Sequence, residues 1–271
     1  MLISIGSTVF TPTAIRANAV GDDPDPRAYI FGPKELIPEN EQATYTFSIG
    51  GAPLQINAIR LKIRIENKYF IGGDVAVGSG WGVNESPDGW IATTGWKDDP
   101  DNPGTHSILE VSMVRLFKME GGELVREPLS DNLYDVFKAV LKITDGIPLG
   151  GDDAKVEIVE IIAATPAGLI NIPLVDELED PDAPGNYYYT TSIFSRYDVN
   201  RNKVVDEDDA AIAFSFFRKK QVDSGWGVFE TMVEGYSSPE RCDVNDIGVK
   251  NGFGDGHVNI LDILEILANF S

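Results

Sequence analysis

The sequence predicts a mainly β chain: an immunoglobulin- or jelly-roll-like β-sandwich followed by a small all-α module. Two observations carry this reading. Between residues 28 and 175, apolar and polar residues alternate in short runs, and turn-forming clusters separate the runs. Beyond residue 193 the pattern changes. Two oxygen-rich loops each lead into an apolar run of helical length. The 271 residues leave room for two domains.

The strands come first. Tyr45, Phe47 and Ile49 alternate with Thr44, Thr46 and Ser48. Ile59, Leu61, Ile63 and Ile65 alternate with Arg60, Lys62, Arg64 and Glu66, which predicts one wet and one buried face. Leu109, Val111 and Met113 repeat the pattern, as do Phe137, Ala139, Leu141 and Ile143. The runs 156–162 and 169–175 are more aliphatic. Gly50, Gly51, Gly72, Gly73, Gly121, Gly122, Gly150 and Gly151 mark turns between them. Trp81, Trp90 and Trp96 fall in an irregular stretch. They offer a sugar platform on one reading and end plugs of the sandwich on another. The run 97–102, with Asp98, Asp99 and Asp101, reads either as a cation site or as a solvated acidic turn.

The segmentation follows. Residues 1–25 read as a signal remnant, because Ala17, Asn18 and Ala19 suit a signal peptidase, or as a free β-strand carried by Ile3, Ile5, Val9 and Thr11. Residues 26–178 form the sandwich. Residues 179–192 are an acidic linker holding Pro181 and Pro184. Residues 193–271 form the last module.

That module opens with residues 198–209. Asp198, Asn200, Asn202, Asp206 and Asp209 stand at the first, third, fifth, ninth and twelfth places of a loop, and Val204 at the seventh offers its carbonyl. This is the ligand order calcium takes from one short segment, since a hard cation wants six to eight oxygens. A second set repeats it with an insertion: Asp243, Asn245, Asp255, His257 through its carbonyl, Asn259 and Asp262. Helices are expected over 208–221 and 263–270, with Arg218, Lys219 and Lys220 at the negative end of the first helix dipole. Lys203 holds the sixth place, where glycine normally makes the turn.

Two loop–helix units, each opening Asp-Val-Asn, resemble a type I dockerin. Ala210, Ala213 and Phe217 match Ile263, Ile266 and Phe270 between the copies. The resemblance implies calcium as cofactor and a cohesin-type protein partner. The usual polar contact residues are missing: Glu207, Asp208, Phe214 and Ser215 stand there in one copy, Ile260, Leu261, Leu267 and Ala268 in the other. The face is apolar and is expected to pack on something. The runs 56–63, 136–143 and 155–173, in that order, resemble strands of a cohesin or a cohesin-like carbohydrate-binding sandwich.

Composition narrows the function. A net charge of −21, with excess acid in both halves, argues against nucleic acid as partner. No run spans a membrane. Cys242 is the single cysteine, so no disulfide framework is expected. The nucleophile elbow, zinc-helix and phosphate-loop motifs are missing, and His106 stands alone, so no enzyme is expected; a glycan hydrolase is the one catalytic alternative. The expectation is an extracellular or cell-surface calcium-binding assembly protein. It docks on another protein or on another copy of itself, head to tail into a filament. The alternative is a cellulosome-type component that binds polysaccharide and docks on a scaffold.

Overall fold

The computed structural model describes residues 26–38, 42–50, 55–72, 75–77, 90–115, 118–121, 123–125, 134–144, 147, 153–174, 187–228, 230–232, 235–245 and 254–270. The expectations placed on residues 1–25, on Trp81 and on the insertion 246–253 lie outside these residues.

Two sheets face each other. The first joins β1 (Arg27–Phe31) to β3 (Gln42–Gly50) and β3 to β11 (Tyr134–Ile143), with β5 (Phe70–Gly72) and β6 (Val75–Val77) along the far side of β11. The second runs from β2 (Glu35–Leu36) through β14 (Tyr188–Ile193), β12 (Ala154–Thr165), β4 (Ala58–Glu66) and β8 (His106–Arg115) to β7 (Trp90–Asp98), with β13 (Gly168–Asn171) also on β12. A separate hairpin pairs β9 (Lys118–Glu120) with β10 (Glu123–Val125).

The alternation read in the sequence is the reason for the layering. Ile59, Leu61, Ile63 and Ile65 of β4 are buried, as are Leu109, Val111 and Met113 of β8. They meet Tyr45, Phe47, Phe137 and Leu141 of the opposite sheet in one hydrophobic core. Each such side chain contributes about 1.5–3 kcal/mol on burial. Tyr45 also ties the sheets by a polar contact, its hydroxyl 3.3 Å from Thr191 Oγ1 of β14. Register shifts between Asp135 and Phe137 and between Ile158 and Glu160 place bulges in β11 and β12. Val136 and Phe137 are consequently both buried.

The outer face of β4 carries its polar residues in a lattice of charge. Lys62 pairs with Glu160 at 3.0 Å, Arg60 lies 3.6 Å from Glu110 and from Glu160, and Arg64 reaches Asp99 at 2.7 Å.

Several expectations are corrected here. The aromatic tail assigned to a linker over 179–192 is strand β14 from Tyr188 onward, because Thr191 and Ile193 are buried in the sandwich. The expected strand 169–175 is shorter, with β13 ending at Asn171. Trp90 is 1% exposed and belongs to the core, so it forms no sugar platform. Trp96, 39% exposed, lies on the edge strand β7. The acidic run 97–102 is the end of β7 and a turn built around buried Asp99. That carboxylate accepts Arg64 Nε at 2.7 Å, Asn102 Nδ2 at 3.0 Å and the Asp101 N–H at 3.1 Å. Burial works to raise this carboxyl, but the hydrogen bonds and Arg64 outweigh it and hold it below the usual range. An acid so engaged is a structural anchor, which disfavours the cation reading of that run.

Beyond residue 193 the chain builds α1 (Glu207–Ser215), β15 (Glu230–Met232), β16 (Gly235–Ser237), α2 (Pro239–Cys242) and α3 (Ile260–Ala268). The module therefore contains a β-ribbon and is not all-α. Its core is a second cluster holding Val199, Val205, Ile212, Phe216, Val244, Val258 and Ile266. Helix α1 stops at Ser215, well short of 221. Arg218 turns with φ +74°, and the backbone beyond pairs with the second loop: Arg218 N–H donates to Val258 O at 2.7 Å and Val258 N–H to Lys219 O at 2.9 Å. The three cations lie past the helix end, in the turn and isolated bridge that join the two halves, so none stands in the last turn of the helix. Among the described residues no helix is long and apolar enough to cross a membrane.

Candidate metal centre

The two oxygen-rich loops fold by the same internal rule. In each, the ninth residue caps the following helix, the twelfth closes the capping box and the first anchors the turn. Asp206 is the N-cap of α1 and Asp209 closes a capping box; Asn259 and Asp262 do the same for α3.

The hydrogen bonds correspond place by place. Asp209 Oδ1 accepts from Asn200 N–H at 3.1 Å, as Asp262 Oδ1 does from Asn245 N–H at 2.8 Å. Asp209 Oδ2 accepts from Asp206 N–H at 2.9 Å, as Asp262 Oδ2 does from Asn259 N–H at 2.7 Å. Asp198 Oδ2 accepts from Lys203 N–H at 2.9 Å, as Asp243 Oδ2 does from Gly256 N–H at 2.8 Å. Asn202 Oδ1 takes the Val204 N–H at 2.8 Å, and Asp255 Oδ1 the His257 N–H at 2.9 Å. The lengthened second loop thus closes on the same scheme as the first. The His257 carbonyl accepts from Asn259 Nδ2 at 3.1 Å, and Val204 is exposed.

The turn at the sixth place needs a left-handed residue. Gly256 supplies it at φ +81° in the second loop; in the first, Lys203 takes φ +74° and Arg201, two places earlier, φ +62°. Left-handed backbone costs a side-chain-bearing residue about 1–2 kcal/mol. The loop holds both.

The valines at the second and eighth places, Val199 and Val205 in one loop, Val244 and Val258 in the other, are all buried. This repeat was present in the sequence and fastens each loop to the module core.

The electrostatics of the loops match a cation site. Burial pushes the Asp209 carboxyl up to about 6, with Asp198 and Asp206 adding repulsion. Burial pushes Asp243 up to about 7, with Asp262 and Asp255 adding repulsion. Asp198 and Asp262 are raised as well, chiefly by burial. Asp243 Oδ1 is buried without a hydrogen-bond partner. A Cβ added to Gly254 would lie 1.9 Å from Asp243 Cγ, so the inserted segment passes tightly over that carboxyl. Among the described residues no three acid, imidazole or thiol groups converge as a ready-made cage. The donor sets are instead mixed, carboxylate with amide and carbonyl oxygen, and suit a hard cation bound by a flexible loop better than zinc.

Cys242 is buried beside Ser237, its Sγ 3.7 Å from the hydroxyl, and burial pushes the thiol up to about 12. It is a core residue with no ligand character.

One feature had no signal in the sequence. Glu35 of β2 accepts from Arg201 Nε at 2.9 Å and from Arg241 Nη2. Arg201 lies inside the first loop, and Arg241 two residues ahead of Asp243.

The outer surface of the helix pair is apolar. Phe214 is 64% exposed, Ile260 53% and Leu264 52%, and Leu261 and Leu267 are also exposed. The Phe214 and Phe217 rings stack at 6.0 Å. Exposed in this way, the face does not pack on the sandwich of its own chain.

No family model matches the chain, and comparison with curated proteins finds no match. Among solved structures the chain is similar to a chain from a type I cohesin–dockerin complex of Clostridium thermocellum, at 13% identity and a TM-score of 0.40, covering 63% of this chain and 100% of that one. It is similar to the cohesin module of a Clostridium perfringens family 33 glycoside hydrolase, at 9% identity and a TM-score of 0.38, covering 63% and 98%. A non-cellulosomal cohesin from the archaeon Archaeoglobus fulgidus matches at 10% identity and a TM-score of 0.32, covering 58% and 98%.

Proposed function

We propose that this chain is an extracellular assembly protein whose C-terminal module is ordered by calcium and docks through its apolar helix face. The observation that carries the reading is that face, with Phe214, Ile260, Leu261, Leu264 and Leu267 turned to solvent on a small module. A soluble surface seldom keeps such a patch without a partner.

Calcium would be held in the first loop by Asp198, Asn200, Asn202, Asp206 and Asp209 and the Val204 carbonyl. In the second it would be held by Asp243, Asn245, Asp255, Asn259 and Asp262 and the His257 carbonyl. Bound there, the ion supplies positive charge that offsets the mutual repulsion of buried carboxylates. The chain's own part is to aim those carboxylates with loop N–H groups, while burial alone would favour their protonated form.

The partner we favour is the sandwich of another copy. Ile91 and Val114 face each other across β7 and β8, both half exposed, and offer an apolar landing site on the outer sheet. A contact between unlike surfaces of identical chains repeats without closing and makes a filament. Catalysis has less support: the outer-face acids Glu110, Glu157, Glu160 and Asp99 are all engaged by cations.

Electron microscopy and sedimentation with calcium and with a chelator test this. Filaments or large oligomers are expected only with calcium. Leu264→Asp should abolish them while leaving calcium uptake intact, since that side chain is exposed. A strict monomer at high concentration in calcium would sink the self-assembly reading and leave a foreign partner to be sought.

A further inference from the structure

We propose that Glu35 is the joint through which calcium in the two loops fixes the C-terminal module against the sandwich. This rests on the calcium reading above and adds a mechanical consequence to it.

Strand β2 holds Glu35 and pairs in parallel with β14, Ser192 opposite Glu35 and Ile193 opposite Leu36. Phe194 N–H continues the pairing to Leu36 O at 3.1 Å. The strand that leads into the first loop is thus bonded to the segment that presents Glu35.

The first loop and the helix that precedes the second loop converge on that carboxylate. Arg201 stands between the candidate ligands Asn200 and Asn202. Its Nε donates to Glu35 Oε2 at 2.9 Å, its Nη1 to Ser195 O at 3.1 Å and also to Asp198 O, and its guanidinium lies 5.4 Å from the Phe194 ring centre. Arg241 belongs to α2, which runs into Asp243, the first residue of the second loop. Its Nη2 donates to Glu35 Oε1. The three side chains are only 11%, 16% and 24% exposed for Arg201, Arg241 and Glu35, so solvent screens these pairs less than ordinary surface pairs. One acid on the sandwich therefore holds one arginine from the first loop and one from the short helix that leads into the second.

The coupling follows from the loop backbone. Arg201 reaches Glu35 from a left-handed conformation that a side-chain-bearing residue resists. A cation gathering Asn200 and Asn202 on either side holds that conformation. Without the cation the loop is free to relax and Arg201 to leave the carboxylate. By reciprocity, a module held at Glu35 presents a better-formed first loop and binds calcium more tightly.

The test uses the full chain. Calcium uptake is followed by calorimetry and shape by small-angle X-ray scattering, with calcium and with a chelator. Scattering is read in the Leu264→Asp background, which takes up calcium without assembling; there the distance distribution of the otherwise wild-type chain should sharpen and shorten on adding calcium. Glu35→Gln, outside the ligand set, should still take up one ion per loop but keep the broad distribution, with first-loop affinity reduced by about tenfold. Arg241→Gln, which leaves the Glu35–Arg201 pair in place, should fall between the two and serves if the first variant fails to fold. Calcium uptake with wild-type shape and affinity in either folded variant overturns the joint alone. A wild-type chain that takes up no calcium overturns the calcium reading and the joint with it.

Discussion

Asp209 and Asp243 are acids placed where an acid is costly. Their carboxyls titrate at about 6 and about 7 because burial disfavours the charged form and neighbouring aspartates add repulsion. An unfolded aspartate titrates near 4, so between about 4 and 7 the folded, calcium-free module binds more protons than the unfolded chain. Its stability must then fall as pH rises through that window and recover as pH drops. In chelator, the module's helical circular dichroism should melt at a higher temperature at pH 5 than at pH 8. With calcium saturating, the order should reverse, since the ion takes only deprotonated ligands. A melting temperature that rises with pH in chelator would contradict these environments. Asp198, Asp206 and Asp209 were legible as a set because their spacing is local. Glu35 was not, since nothing in a two-residue strand distant in sequence announces two arginine partners.

At the scale of elements, the second loop is the instructive case. An insertion separates Asn245 from Asp255, yet both halves reach the hydrogen-bond scheme of the uninterrupted loop. Asp243 joins them, accepting from Gly256 across the insertion while Asp262 takes the Val244 and Asn245 N–H groups. Gly254 is the tight point, with no room for a Cβ beside Asp243. Gly254→Ala should therefore abolish or strongly weaken calcium uptake at the second loop and spare the first; calorimetry should show the stoichiometry fall by one ion per chain. An unchanged stoichiometry would mean that the second loop is not a site. The helices show where local reading stops. Helix α1 starts one residue before the expected 208, α3 starts three before the expected 263, and α1 ends six residues before the expected 221. The residues beyond retain helical propensity, but pairing with the second loop and burial of Phe216 in the module core override it.

For the whole molecule, the two hydrophobic clusters set separate stabilities. The sandwich core draws on two broad sheets; the module core is a few valines, isoleucines and one phenylalanine packed under two loops. A core that small, crossed by buried carboxylates, is expected to depend on an ion for much of its stability. Calorimetry in chelator should show two transitions, a low one that removes helical signal and a high one that removes the sheet. Saturating calcium should raise the first and leave the second in place. A single transition indifferent to calcium would refute that division.

The sequence by itself determined the layered β architecture of residues 28–175, because a period of two places every second side chain of Ile59 to Ile65 on one face whatever the neighbours are. It also determined the candidate oxygen ligands, since both loops draw their donors from short spans of chain. Only the tertiary structure decided that Tyr188–Ile193 is a strand, that Trp90 is core, that Asp99 belongs to Arg64, and that the apolar helix face stays in solvent. Each of these turns on which distant segment lies alongside, and burial and pairing energies between distant segments are not written in local periodicity.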